Sequence, residues 1–207
     1  MRILKPRALR PGDRVGIVAP ASAPNDPGRI EPGLEALRAL GYEPVMAPNA
    51  RRKHGFLGGT DAERLEDLHA MFSDDSIRAI LCLRGGYGTT RLLGRLEADL
   101  IRRNPKIFVG YSDTTALSAF FFSECGLVSF YGPMVAVEFY KGATPFILES
   151  FKRATTQPEP YGPLGRPEGW TQTETLVAGK ARGLLVGGCL TLFESLLGTP
   201  LQGYVRD

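Results

Sequence analysis

A serine at a tight strand-to-helix turn is the sharpest chemical feature of the sequence. Residues 110–114 read Gly-Tyr-Ser-Asp-Thr, between a short apolar run and an apolar helical segment. The spacing is similar to the G-x-S-x-G turn that exposes a nucleophilic serine, with Thr114 in place of the last glycine. The backbone N–H of Asp113 would lie in the first turn of the helix, where unpaired donors stabilise an oxyanion. The alternative is that Ser112 or Asp113 caps the helix, and the pattern leaves both interpretations open.

A glycine-rich loop is the second feature. Residues 84–88 read Arg-Gly-Gly-Tyr-Gly and follow an apolar run that ends near residue 83. Such a loop lets the backbone approach a ligand closely and aim N–H groups at it. It is neither a dinucleotide fingerprint nor a P-loop, and a simple tight turn is the alternative. The predicted strand before this loop is the one that precedes the Ser112 strand along the chain. If the two strands are adjacent in the sheet, the glycine-rich loop and the Ser112 turn lie close together.

The elements that must position these loops alternate regularly. Apolar runs of strand length alternate with segments that have helical spacing, which predicts an α/β fold with a parallel sheet flanked by helices. The predicted strands are 14–19, 42–47, 77–83 and 106–110, and the predicted helices are 30–40, 61–72, 92–100 and 114–124. Ligands bind beyond the carboxyl ends of parallel strands. The loops 19–22, 84–88 and 110–113 all fall at that edge.

The alternation stops near Lys141. We predict a domain over 1–140, a linker over 141–175 that is rich in Pro and Gly after residue 156, and the beginning of a second domain over 176–207. That last part reads as a short strand near residue 180 and an apolar helix over 190–197. About 30 residues cannot bury a core alone, so we expect this domain to be incomplete within the chain.

Composition narrows the class of protein. The chain has 207 residues, a net charge of +3 and three well-separated cysteines. These values favour a soluble cytoplasmic protein with no nucleic-acid partner, no membrane span and no metal site. No signal peptide is recognised at the start of the sequence. His54 lies in a basic loop and His69 on a predicted helix, and neither is expected to be a catalytic base.

Taken together, these segments resemble the LD-carboxypeptidase family, serine peptidases of family S66 that include murein tetrapeptide carboxypeptidases and microcin C immunity proteins. The matching stretches are 12–22, 80–88, 104–117, 132–133, 187–192 and 198–200. The resemblance covers essentially the whole chain. It departs at Cys189, where the family usually has Asn.

The resemblance implies a flavodoxin-like N-terminal domain and assigns roles to residues. Ser112 matches the nucleophile, and the backbone N–H groups of Gly86 and Asp113 match the oxyanion hole. Gly85 and Tyr87 are expected to contact the substrate, and no cofactor is implied. The Glu and His of the triad lie after the Gly-Thr-Pro segment in the family, and Glu194 does not match that Glu. We therefore expect both beyond this chain, and the chain to be nearly inactive alone.

The implied reaction is cleavage of the L,D-amide bond before the terminal D-alanine of cytoplasmic murein tetrapeptides, during peptidoglycan recycling. A peptidyl-nucleotide substrate of the microcin type is the alternative within the family. A non-catalytic domain that binds peptides is an alternative of another class. A nucleotide-binding domain would rest on fold analogy alone, because no phosphate motif is present. The resemblance also allows a homodimer.

Overall fold

The computed structural model describes residues 2–170 and 174–202 and centres on a four-stranded parallel sheet. The strands are β1 (Arg14–Val18), β2 (Glu43–Met46), β3 (Ile77–Cys82) and β4 (Ile107–Val109). Their order is β2-β1-β3-β4, and every neighbouring pair is parallel. This confirms the predicted α/β class, and the order is that of the first four strands of a flavodoxin-like sheet. The order reverses between β1 and β3, so the loops after these two strands border the crevice in which such folds bind ligands.

Helices flank the sheet, and most of their buried positions are apolar. They are α1 (Ile30–Ala39), α2 (Asp61–Ser73), α3 (Ala98–Arg103), α4 (Thr115–Cys125), α5 (Pro145–Thr156) and α6 (Leu190–Leu196). Thr60 caps the start of α2 and forms a reciprocal capping box with Glu63. None of the helices in these described ranges is long and apolar enough to cross a bilayer.

The predicted start of the helix over 92–100 is wrong. Two 3₁₀ turns, Thr89–Arg91 and Leu93–Arg95, occupy its first part, and α3 begins only at Ala98. Leu96 is extended, with ψ at 135°, so the chain leaves the helical conformation before α3. The leucine spacing instead reflects burial of Leu92 and Leu93 in the core.

Helix α5 lies inside the stretch predicted as a linker. Thr144 caps its first turn, and Pro145 occupies the position where proline fits a helix start. Its buried Phe151 meets the rings of Tyr42 and Phe139 edge-on, at centroid distances of 6.5 and 5.5 Å. This helix was not predicted from the sequence, and its buried Phe151 contacts rings from the first 140 residues. The division into domains remains a prediction.

The last described part of the chain contains one helix. Leu196 of α6 is buried, and α6 lies beside α4. The N–H of Cys189, at the start of α6, donates to the Thr115 hydroxyl at 3.0 Å. The short strand predicted near residue 180 is wrong, since residues 174–189 form no strand.

Candidate active site

Ser112 sits on a strained elbow between β4 and α4. Its φ is +63°, and it is the one non-glycine residue with a positive φ in the described part of the chain. Such a conformation costs about 1–3 kcal/mol and persists only where surrounding structure enforces it. A Cβ on Gly110 would lie 2.8 Å from the Thr114 hydroxyl and 3.0 Å from the Cys82 sulfur. The tight turn therefore needs glycine at this position.

The capping alternative is wrong for both residues. The 3₁₀ turn Ser112–Thr114 and α4 each begin without a side-chain cap. Instead, the buried Asp113 carboxylate accepts a hydrogen bond from the Thr89 N–H at 2.9 Å. The Asp113 carbonyl accepts a second one from the Thr89 hydroxyl at 2.6 Å. Asp113 thus ties the elbow to the turn that follows the glycine loop. Its own N–H lies in the first turn of the helical segment, where donors have no intrahelical acceptor.

The glycine loop touches the elbow, as the strand order predicts. A Cβ on Gly85 would lie 3.0 Å from the Ser112 Cβ and 3.3 Å from the Ser112 Oγ. Gly86 and Gly88 have φ values of +118° and +119°, which favour glycine. Residues 84–88 therefore form a tight turn and also contact Ser112 closely.

The loop after β1 supports the glycine loop from its other side. Ser22 is buried, and its Oγ accepts a hydrogen bond from the Tyr87 N–H at 3.1 Å. Its N–H donates to the Gly85 carbonyl at 3.3 Å. The sequence analysis placed this loop at the ligand edge but did not single out Ser22.

A buried arginine joins the same two loops. The Arg64 guanidinium is fully buried and donates to the carbonyl oxygens of Pro20 and Gly88. It also pairs with Asp61 at 2.6 Å, and Asp61 pairs in turn with Arg91 at 2.8 Å. The hydrogen bond from Arg91, joined by that from Arg64, lowers the pKa of Asp61 to about 2. Sequence reasoning missed Arg64, because a charged residue on an amphipathic helix normally faces solvent.

Aromatic side chains surround the elbow and the glycine loop. Tyr87 is 55% exposed, and its ring meets the exposed ring of Phe56 at a centroid distance of 5.9 Å. The hydroxyl of Tyr131 accepts a hydrogen bond from the Ser112 N–H at 3.4 Å. Tyr111 donates to the Glu138 carboxylate at 2.7 Å. Burial and that hydrogen bond raise the pKa of Tyr111, so it remains a donor at neutral pH.

The two histidines have partners away from the elbow. The His69 Nε2 accepts a hydrogen bond from the Glu97 N–H at 3.2 Å, and burial lowers the pKa of His69. The backbone of His54 pairs with that of Leu57 in a short bridge. Across residues 2–170 and 174–202, no three His, Cys, Asp or Glu side chains are grouped to hold a metal ion.

Comparison with known proteins gives consistent matches. The profile of the LD-carboxypeptidase N-terminal domain, Peptidase_S66, matches residues 15–132. A probable murein peptide carboxypeptidase of Bacillus subtilis is 42% identical over 199 residues, covering 96% of this chain and 61% of the relative. The chain thus spans about three fifths of that relative's length.

Two solved structures extend the match to three dimensions. A variant of the microcin C7 self-immunity protein MccF, in complex with adenosine monophosphate, superposes with a TM-score of 0.84 at 27% identity. That match covers 99% of this chain and 68% of the other. A muramoyltetrapeptide carboxypeptidase from Oxalobacter formigenes superposes with a TM-score of 0.78 at 29% identity, covering 91% and 61%.

Proposed function

Because the chain belongs to the LD-carboxypeptidase family, we propose that the whole protein is a serine carboxypeptidase with Ser112 as its nucleophile. The substrate we propose is a cytoplasmic murein tetrapeptide, cleaved before its terminal D-alanine. The observation that carries the proposal is the positive φ of Ser112, with Gly85 packed against its side chain. Backbone strain of this kind is typical of active sites and of loops that hold ligands.

The proposed reaction has two steps. The Ser112 Oγ attacks the carbonyl carbon of the L,D-amide, and its proton passes to a general base. The N–H groups of Gly86 and Asp113 stabilise the oxyanion that forms. The carbon–nitrogen bond then breaks, the base returns the proton to the amine, and D-alanine leaves. Water hydrolyses the acyl ester by the same route in reverse and regenerates Ser112.

The general base is proposed from the family resemblance. His69 accepts a hydrogen bond from the Glu97 N–H, and the backbone of His54 pairs with that of Leu57. From the resemblance, we assign the base to a histidine, oriented by a glutamate, that follows the Gly198–Pro200 segment in the whole protein. A triad without its base loses several powers of ten in rate.

A D-alanine release assay with the tetrapeptide L-Ala-γ-D-Glu-meso-diaminopimelate-D-Ala tests the proposal. Ser112→Ala in the whole protein should lower kcat by at least about 10³-fold, since the covalent route is lost. Ser73→Ala is the matched control, because the Ser73 hydroxyl is exposed and bonds only to the Ala70 carbonyl. Activity that survives Ser112→Ala would refute the assignment of the nucleophile.

The second candidate substrate is a peptidyl nucleotide. It is favoured by the likeness to MccF, which has been solved with adenosine monophosphate. Assays of the wild-type protein with an aminoacyl sulfamoyl nucleoside and with the tetrapeptide decide between the substrates. Turnover of that compound at a higher kcat/KM than the tetrapeptide would assign the protein to this second class.

A further inference from the structure

Ser22 contacts three consecutive residues of the glycine loop. Its N–H donates to the Gly85 carbonyl at 3.3 Å, and its Oγ accepts from the Tyr87 N–H at 3.1 Å. Between them, a Cβ on Gly86 would lie 2.4 Å from the Ser22 Oγ and 2.6 Å from the Ser22 Cβ. The Ser22 side chain therefore lies directly against the backbone of the loop, and its Oγ and its backbone N–H both form hydrogen bonds there.

These contacts fix the orientation of one peptide group. The Gly85 carbonyl and the Gly86 N–H belong to the same peptide plane, and this bond is trans, like all peptide bonds in the described ranges. In a trans peptide, the C=O and N–H point in opposite directions. A Gly85 carbonyl held by Ser22 therefore directs the Gly86 N–H away from Ser22. Ser112 lies against Gly85, within 3.0 Å of the position of an added Cβ.

We propose that Ser22 is a positioning residue for the oxyanion hole, because it prevents the Gly85–Gly86 peptide from rotating. The inference rests on the proposed function only for the role of the Gly86 N–H. Glycine dipeptides rotate easily, since both residues populate positive and negative φ. Without the Ser22 Oγ, the Tyr87 N–H loses its acceptor, while the Ser22 N–H and the Arg84 Nε still donate to the Gly85 carbonyl. The Gly86–Tyr87 side of the loop is then no longer held by Ser22, so the Gly86 N–H would adopt a wider range of orientations, only part of which meets an oxyanion.

The test compares Ser22→Ala with the Ser73→Ala control in the whole protein. Selective ¹⁵N-glycine labelling reports the order parameter of the Gly86 N–H vector, and Gly86→Ala identifies its signal. We expect this order parameter to fall from about 0.85, typical of rigid backbone, to below about 0.6 in Ser22→Ala, and to keep its wild-type value in Ser73→Ala. An unchanged Gly86 amide would overturn the proposal, whether or not the protein releases D-alanine.

Kinetics test the consequence for catalysis. We expect Ser22→Ala to lower kcat by roughly 10- to 100-fold, less than complete loss of an oxyanion donor. KM should stay within about twofold, because the donor acts on the transition state. Affinity for a peptidyl trifluoromethyl ketone, which forms an oxyanion adduct with serine, should fall in parallel with kcat. A purely structural role would lower the melting temperature alone and leave kcat and inhibitor affinity unchanged, which would overturn the proposal.

The two hypotheses fail in different ways. A wild-type protein without turnover, or a fully active Ser112→Ala, contradicts the proposed function, and the order parameter of the Gly86 N–H still decides whether Ser22 holds the peptide. If Ser112→Ala is inactive while Ser22→Ala has wild-type kcat, the nucleophile stands and the positioning role is wrong.

Discussion

Adding one methyl group to Gly85 should impair catalysis far more than folding. The φ of Gly85 is not positive, so the Gly85→Ala backbone is sterically allowed. The new Cβ would lie 3.0 Å from the Ser112 Cβ, 3.1 Å from the Tyr111 carbonyl oxygen and 3.3 Å from the Ser112 Oγ. Carbon atoms in good contact are about 3.5–4.0 Å apart, so the elbow must move by roughly half an ångström.

The expected magnitudes follow from that displacement. Overpacking of this size costs about 1–3 kcal/mol in the free energy of unfolding. A displacement of about 1 Å can cost 10²-fold in rate, so we expect kcat to fall by roughly 10- to 100-fold. Urea denaturation measures the change in the free energy of unfolding, and the D-alanine release assay measures the change in kcat.

Gly94→Ala is the matched control. Nothing lies within 4 Å of a Cβ at Gly94, and its φ is not positive. This change should leave kcat unchanged and raise the free energy of unfolding slightly, by up to about 1 kcal/mol. If Gly85→Ala folds and keeps its kcat within twofold of wild type, then Ser112 is not the nucleophile or Gly85 does not border it.

Two further predictions concern buried charges. Burial raises the pKa of Asp67 to about 6, against the lowering effect of hydrogen bonds from Asn49. The folded state therefore keeps this proton longer than the unfolded state, and the free energy of unfolding should fall by up to about 3 kcal/mol as pH rises from 4 to 6. Urea midpoints across this range should show a weaker decrease in Asp67→Asn, and equal slopes would refute the reasoning. Arg64→Met removes the side-chain donor to the Pro20 carbonyl, one of the two donors to the Gly88 carbonyl and a buried partner of Asp61, and it should lower the free energy of unfolding by about 2–5 kcal/mol. Arg91→Met removes an exposed partner of Asp61 and should lower the free energy of unfolding by less than about 1 kcal/mol. Equal losses for Arg64→Met and Arg91→Met in urea denaturation would contradict this account.

The sheet and the loop edge could be predicted because local patterns determine them. The apolar runs before Gly85 and Ser112 are short and bounded by glycine, and parallel sheets place such loops at one edge. Adjacent strands then predicted the contact between Gly85 and Ser112 that the structure has. The assignment of catalytic roles to these residues remains a prediction.

The missed features depend on contacts between distant parts of the chain. Ser22 meets Tyr87 across 65 positions, and Arg64 meets Pro20 across 44, and no local pattern encodes either distance. Helix α5 was missed because Pro145 reads as a break when it stands beside a stretch rich in Pro and Gly. Its formation depends on Phe151, which packs on rings from elsewhere in the chain.

Thr114 departs from the usual elbow pattern, and the structure gives the physical reason why it fits. Small residues flank the central serine of such a turn because the strand and the helix come close there. In this chain, the missing Cβ of Gly110 leaves room for the Thr114 hydroxyl, which would lie 2.8 Å from that Cβ. The hydroxyl donates to the Tyr111 carbonyl at 3.1 Å, so the buried threonine is satisfied within the turn itself. One glycine therefore provides the space that two provide in the usual pattern. The added hydrogen bond spans Ser112 and helps to hold its positive φ.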